Sequence, residues 1–373
     1  MSFTILTLSP GSTSTKVAVF DGAEARFRLN VTHPADELAR FERAADQFDY
    51  RRRTILDALE REGIALSDIE AFSGYCGAMG PTVGGIFAID DTVCESVLAA
   101  GVNHPAILGA PLLHAFAQET GKPAYAVNQP DTDELADVAR ITGYPGVYRK
   151  SHVHCLNQKE CAIRAAAELG TTYAEGNFIV AHVGGGLSVA AHDHGRMVDA
   201  NDVLEGSGPF APNRSGDVPA KPLVKLAFAD GSDRRVMEGV IGRTGGLVGL
   251  VGTDDARQIL ERIEQGDEWA AIAYDAMAYQ VAKAIGAYAA ALAGKVDAIV
   301  LTGGVSHDPR FVEYVSSRVG WIAPVKVYAG DFEMDALASG AIRALTGAEE
   351  VMTYTGEPSW DGFTMPGAIA AIA

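Results

Sequence analysis

Cysteine is scarce and carries no metal or redox pattern: Cys76, Cys94, Cys155 and Cys161 form no CxxC pair and stand at no metal-finger spacing. This excludes a sequence-encoded zinc finger or dithiol centre and predicts reduced, buried thiols. Basic residues are also few. With 30 Lys plus Arg against 48 Asp plus Glu the formal charge is -18, a field that repels polyanions and argues against a nucleic-acid partner. Uninterrupted apolar runs are missing too, and none approaches the ~20 residues of a membrane span. Ala271 to Ala293 comes nearest, but Tyr274, Asp275, Gln280 and Lys283 interrupt it, so it reads as a core helix. The chain runs into Phe3-Thr4-Ile5-Leu6-Thr7-Leu8 without a basic n-region or a long apolar segment, so a cytoplasmic location without a signal peptide is expected.

What is present fits a folded protein of two lobes. The 373 residues exceed the ~250 at which single cores stop growing, and 48% apolar residues supply two cores. An anionic ligand would have to be held against the net charge by backbone amides, a few placed cations and a divalent ion. Gly-rich turns are therefore the informative features.

Phe3 to Leu8 reads as a strand, Pro10-Gly11-Ser12-Thr13-Ser14-Thr15-Lys16 as a turn, and Val17 to Phe20 as a second strand. Asp21-Gly22 is a hairpin signal leading to a third strand over Ala25 to Val31. A helical stripe follows from Ala35 to Arg61, then strands at Ile69 to Ser73 and Ala124 to Val127 around a helix over Leu108 to Glu119. At Asn177 the opening pattern returns: a strand to Val183, the turn Gly184-Gly185-Gly186, a strand over Leu187 to Ala191, the hairpin His194-Gly195 and a strand at Met197-Val198. Two such meanders, each opening one half of the chain, point to an internal duplication.

Each turn has a chemical and a plain reading. The Pro10 to Lys16 turn offers hydroxyls, amides and one cation to polyphosphate, but lacks Walker A order and opens a strand, so a polar hairpin is its alternative. His182-Val183-Gly184-Gly185-Gly186 allows backbone amides to approach phosphate without a Cβ clash. Leu301-Thr302-Gly303-Gly304-Val305 ends a buried strand before a helix, where open α/β sheets bind ligands; a simple connection is the alternative. The loop Glu205 to Asp217 carries Arg214, the kind of cation that stabilises charge in a phosphoryl-transfer transition state. His152-Val153-His154 and His192-Asp193-His194 have no third and fourth ligand at a telling distance, which disfavours a metal site.

As a set, these segments and His154-Cys155-Leu156-Asn157-Gln158-Lys159 resemble the acetate and butyrate kinase family, within the sugar kinase, heat-shock 70 and actin superfamily, from about Phe3 to Gly347. The resemblance implies an α/β fold of duplicated ribonuclease H-like (actin-like ATPase) domains with a central interdomain cleft. The expected division is 1–155 for acyl substrate and phosphate turn, 156–350 for nucleotide, and 351–373 as a tail of unassigned role. It implies transfer of the γ-phosphoryl group of ATP, with Mg²⁺, to a short-chain carboxylate such as butyrate, and a homodimer or larger homo-oligomer. By position, Ser12, His154 and Arg214 are catalytic. Ser14, Lys16, His182, Gly184, Gly185, Gly186, Gly303 and Gly304 bind ATP, while Tyr75, Gly77 and Asn128 face the acceptor and Glu333 and Asp133 the metal. Ser9, Tyr75 and Asn128 depart from the family pattern, where Asn, Arg and Asp are usual. A diverged nucleotide binder with little kinase activity, or a kinase for another small acceptor, is the second reading.

Overall fold

The computed structural model describes residues 2–364. Contacts divide the chain into two compact units. The first runs through Asp133 and takes up Phe332–Gly362; the second is Glu134–Asp331 with Phe363 and Thr364. The boundaries differ from those expected at 155/156 and 350/351.

The first unit is built on β1 (Thr4–Pro10), β2 (Ser14–Asp21), β3 (Glu24–Thr32), β4 (Ala71–Gly74), β5 (Ile86–Ala88) and β6 (Ala124–Val127). The second holds β7 (Asn177–Val183), β8 (Leu187–Asp193), β9 (Arg196–Ala200), β10 (Ala298–Gly303) and β11 (Val325–Ala329). A last strand, β12 (Val351–Met352), joins the first sheet beside β5. The sheet orders are β12-β5-β6-β4-β1-β2-β3 and β11-β10-β7-β8-β9. In each, an antiparallel meander (β1-β2-β3, β7-β8-β9) is flanked on its first strand by a parallel strand (β4, β10). Even the irregularity recurs: the register shifts at Val19/Phe20 and again at Ala191/His192. The duplication expected from the sequence is therefore present in pairing and register.

β1 and β7 are central and buried on both faces; β7 reads as a near-continuous apolar run over Phe178 to Ala181, whereas the buried Thr7 and Ser9 interrupt β1. Helices Phe48–Arg61 and Gly109–Thr120 put Ile55, Leu59, Leu112 and Phe116 into the first core. The 24-residue helix Glu268–Ala291 starts where Asp267 accepts from the Ala270 amide and lays Tyr274, Met277, Val281 and Ile285 on the second sheet. No helix among the described residues is long and apolar enough to cross a membrane. All four cysteines are free; three are buried and Cys94 partly so.

Three local expectations change. The stripe over 35–61 is broken, because the Asp46 carboxylate accepts from the Arg43 amide and starts a new helical segment there. Helix Glu333–Thr346 belongs to the first unit, not to a nucleotide domain ending at 350. It packs so closely on the sheet that a Cβ at Gly340 would come within 2.5 Å of Val127 Cγ1. Residues 351–364 are not a separate tail: β12 pairs with β5, Tyr354 is buried, and its hydroxyl donates to the Met79 carbonyl. The remaining tail, 365–373, lies outside the described residues.

Candidate active site

In the second unit, the Gly184–Gly186 turn joins β7 to β8 and closes on itself through the Gly184 amide donating to the Gly186 carbonyl, 2.9 Å. Three of the side chains expected at the site surround it. His154 precedes helix Cys155–Glu168, and its ring stacks on that of His182 at 4.0 Å between centroids and 14° between planes. Arg214 crosses the turn: a Cβ at Gly186 would lie 1.7 Å from Arg214 Nη1 and 3.3 Å from His154 Cε1. A side chain there would displace the Arg214 guanidinium. Asn213 Nδ2 stands 3.4 Å from the Cβ position of Gly185.

The electrostatics of this cluster favour an anion. Among the described residues, Arg214 Nε and Nη1 are buried without a hydrogen-bond partner, as is Asn213 Oδ1. An unpaired buried guanidinium edge is costly to fold, and its burial lowers the Arg214 pKa. Such a cost is retained where a ligand supplies the missing acceptors. Burial also holds His182 at about 4 and pushes His154 well below the ordinary histidine value, with His182 and Arg214 adding to the effect on His154. Both rings are neutral at pH 7.

Gly303 adopts φ +87°, and a Cβ there would lie 2.4 Å from the Val183 carbonyl oxygen, so β10 ends against the start of the same turn. Gly304 follows in an exposed position with open space around it. The structure thus brings together His154, His182, Gly184, Gly185, Gly186, Arg214 and Gly303. The two histidine pairs separate. His152 Nδ1 meets Asp202 Oδ2 at 2.8 Å near Glu205, which Lys150 also binds, whereas His192 is buried in the core.

In the first unit, the turn from Gly11 to Ser14 is closed by the Gly11 amide donating to the Ser14 carbonyl, 2.8 Å. Ser12 Oγ lies 3.0 Å from His104 Nε2. His104 Nδ1 accepts from the Ala106 amide, so its Nε2 carries the hydrogen and donates to Ser12. Lys16 and Ser9 both reach Glu333, through Oε2 and Oε1. The departure at Ser9 therefore has a local role as a partner of that carboxylate. Beneath the turn, Arg51 is fully buried and donates to Gln47 Oε1 at 2.9 Å, the Ser14 carbonyl at 3.2 Å and Thr15 Oγ1 at 2.8 Å.

The Tyr75 segment is fixed by backbone contacts. The Tyr75 amide donates to Leu8, and a Cβ at Gly109 would meet the Tyr75 carbonyl at 2.1 Å. Gly77 packs against Ala106, 2.8 Å from its methyl for an added Cβ. Asn128 sits at φ 43° and its Oδ1 accepts from the Gly85 amide, 2.9 Å. Asn at this position thus suits a left-handed turn. Asp133 is buried next in sequence to Thr132, with its amide donating to Thr82 and its carbonyl accepting from Ser359 Oγ. Gln129 accepts from the Cys76 amide at 2.6 Å and ties the Tyr75 and Asn128 segments together.

The buried neutral rings give a pH signature. Burial holds His192 at about 3. The unfolded chain binds protons at histidine near ~6.5, whereas His154, His182 and His192 do so only at lowered values when folded. Stability is therefore fully present above ~6.5 and falls as pH drops towards ~4, by roughly 1 kcal/mol per pH unit for each such ring. The urea midpoint is expected to drop between about pH 7.5 and about pH 5. A level midpoint would contradict the neutral rings.

The sequence matches the family model of the acetokinase family over residues 136–323. It is 41% identical to "Probable butyrate kinase" of Clostridium botulinum (strain Alaska E43 / Type E3) over 357 residues, 95% of this chain and 100% of that protein. It is likewise 41% identical to "Probable butyrate kinase" of Coprothermobacter proteolyticus over 356 residues, 95% and 100% of the two chains. Among solved structures, Porphyromonas gingivalis acetate kinase superposes with a TM-score of 0.73 at 22% identity, covering 92% of this chain and 100% of that one. A propionate kinase from Francisella tularensis gives 0.69 at 19%, covering 91% and 98%. These structures carry the fold, duplicated actin-like ATPase domains, and the full-length relatives carry the family. The chain belongs to the acetokinase family, the acetate and butyrate kinases, and is a carboxylate kinase.

Proposed function

We propose that the chain transfers the γ-phosphoryl group of ATP directly to a short-chain carboxylate, butyrate or a close analogue, to give an acyl phosphate and ADP. The observation that carries this reading is Arg214, whose buried Nε and Nη1 lack partners beside the Gly184–Gly186 turn. A dissociating phosphoryl group spreads charge over its equatorial oxygens and supplies the acceptors that this edge lacks. A carboxylate oxygen attacks phosphorus, the bond to the β–γ bridging oxygen breaks, and its electron pair leaves with ADP. The nucleophile is already ionised at neutral pH, so no general base is required. This agrees with neutral rings at His154 and His182, which act as hydrogen-bond donors.

In the second unit, His182 and Gly184 to Gly186 are assigned to the ATP phosphates, and Gly303 and Gly304 to the adenosine. In the first, Ser12, Ser14 and Lys16 are assigned to phosphate, and Tyr75, Gly77 and Asn128 to the acceptor. Magnesium, when bound, neutralises charge on the β- and γ-phosphate oxygens. Glu333 and Asp133 offer the hard oxygen donors that suit it, and Glu333 would exchange its present contacts with Ser9 and Lys16.

A homodimer is also proposed, because Trp269, Ile272 and Tyr279 lie along one face of helix Glu268–Ala291 and are about half exposed. The cytoplasm, where ATP and free thiols coexist, is the proposed location. ADP release measured with acetate, propionate, butyrate, isobutyrate and valerate tests the acceptor assignment. Butyrate or a neighbour in length is expected to give the highest kcat/KM; preference for a hydroxyl compound over every acid would overturn it.

A further inference from the structure

The partners around His154 and His182 allow the hydrogens between them to be placed. Gln158 contacts the Ser188 carbonyl at 3.2 Å and Ser188 Oγ at 2.7 Å through Nε2. A carbonyl only accepts, so the amide nitrogen must face it and Oε1 must face the other way. There, 3.0 Å off, is His192 Nε2, which therefore carries a hydrogen. His192 is fully buried and neutral, so its Nδ1 is a bare acceptor and takes the Tyr173 hydroxyl hydrogen at 2.8 Å.

At the other end, Ser188 Oγ accepts from Gln158, and more weakly from the His154 amide at 3.4 Å. Its own hydrogen points to His154 Nδ1, 2.8 Å away. His154 Nδ1 is then an acceptor and the ring hydrogen sits on Nε2. The same reasoning extends to His182. Thr302 Oγ1 donates to the Gly330 carbonyl at 3.2 Å, so it accepts from Asn157 Nδ2 at 3.2 Å. That amide nitrogen also meets His182 Nδ1 at 2.8 Å, and being a donor it leaves His182 Nδ1 as acceptor. Gln158, Ser188, His192 and Thr302 are fully buried and Asn157 nearly so, which keeps water from competing for these positions.

We infer that the buried chain Tyr173–His192–Gln158–Ser188 and the Asn157–Thr302 pair lock His154 and His182 as stacked neutral Nε2–H tautomers, making Ser188, Gln158 and Asn157 positioning residues for phosphoryl transfer. The assignment of transfer to this cluster rests on the reading above; the tautomers themselves do not. Each ring presents one donor and keeps its lone pair engaged. Two neutral donors avoid the repulsion that two cationic rings 4.0 Å apart would suffer. The rings hydrogen-bond the migrating group without giving or taking a proton.

The test is nitrogen NMR of the full chain labelled at histidine, with His154 and His182 assigned from His154→Gln and His182→Gln variants. Both rings are expected to show a protonated, pyrrole-type Nε2 and a bare, pyridine-type Nδ1 at neutral pH. An Nδ1–H or doubly protonated ring at either position overturns the inference, whatever the kinase activity proves to be. In Ser188→Ala the His154 ring is expected to lose its single-tautomer signature while His182 keeps it. Loss of such an outer partner is expected to lower kcat by about 10- to 100-fold, with KM for ATP little changed. An unaltered His154 signature in Ser188→Ala would also overturn it, and absence of activity in the wild type would instead strike the proposed reaction.

Discussion

Replacing Arg214 by leucine is expected to lower kcat by about 10²- to 10³-fold while leaving the melting temperature level or raising it. The two halves of this prediction have one cause. Nε and Nη1 of Arg214 are buried without partners, so the free enzyme gains little from the guanidinium and bears the cost of desolvating it. A residue that held the fold would behave in the opposite way, losing stability first. KM for ATP should change less than kcat, because the charge that Arg214 meets is greatest in the transition state. Steady-state kinetics beside a thermal melt checks both. A strongly destabilised variant, or one with normal kcat, would remove Arg214 from the reaction.

Arg51→Met is expected to act through stability, on the order of 3–5 kcal/mol. Arg51 is fully buried, and its guanidinium donates to Gln47, Ser14 and Thr15 under the Gly11–Ser14 turn. Methionine roughly fills the volume but supplies no donor, so these acceptors are left in a site that water does not reach. Burial lowers the Arg51 pKa to about 10, which leaves it charged at pH 7. The turn that presents Ser12 should loosen with it, so ATP affinity measured by calorimetry should fall together with the urea midpoint. Loss of neither would mean that the turn holds its shape unaided.

The parts of the fold that were legible in the sequence are those set by local pattern. The meander signals, the hairpins Asp21-Gly22 and His194-Gly195, and the small-residue turns all repeat within short windows, and β1-β2-β3 and β7-β8-β9 follow from them. Long-range returns were not legible. Helix Glu333–Thr346 is assigned to the first unit by partners far away in sequence, through packing of Gly340 on Val127 and through the contacts of Glu333 with Ser9 and Lys16 and of Asp335 with Arg28. The strand Val351–Met352 is too short to give a period, so its pairing with β5 depends on a partner far away in sequence.

The site divides in the same way. Arg214 and the Gly184–Gly186 turn stand out by residue type and context. Arg51 does not, because it opens the run Arg51-Arg52-Arg53, where charge signals exposure, although its spacing sets it on the buried face with Ile55, Ala58 and Leu59. Ser188 and Gln158 are ordinary polar residues until the fold brings strand β8 against helix Cys155–Glu168. His192 and His194 would share a face if the strand continued, but β8 ends at Asp193: His192 stays buried towards Gln158, while His194, at φ 46° in the hairpin turn, is exposed beside Asp193.

Hydroxamate trapping of acyl phosphate, with magnesium, ATP and a series of short carboxylic acids, tests the central claim most directly when wild type and Arg214→Leu are run together. Trapped acyl phosphate from at least one acid, with a loss of about 10²-fold or more in the variant, is the predicted result. ATP binding by calorimetry with no trapped product from any acid would contradict it.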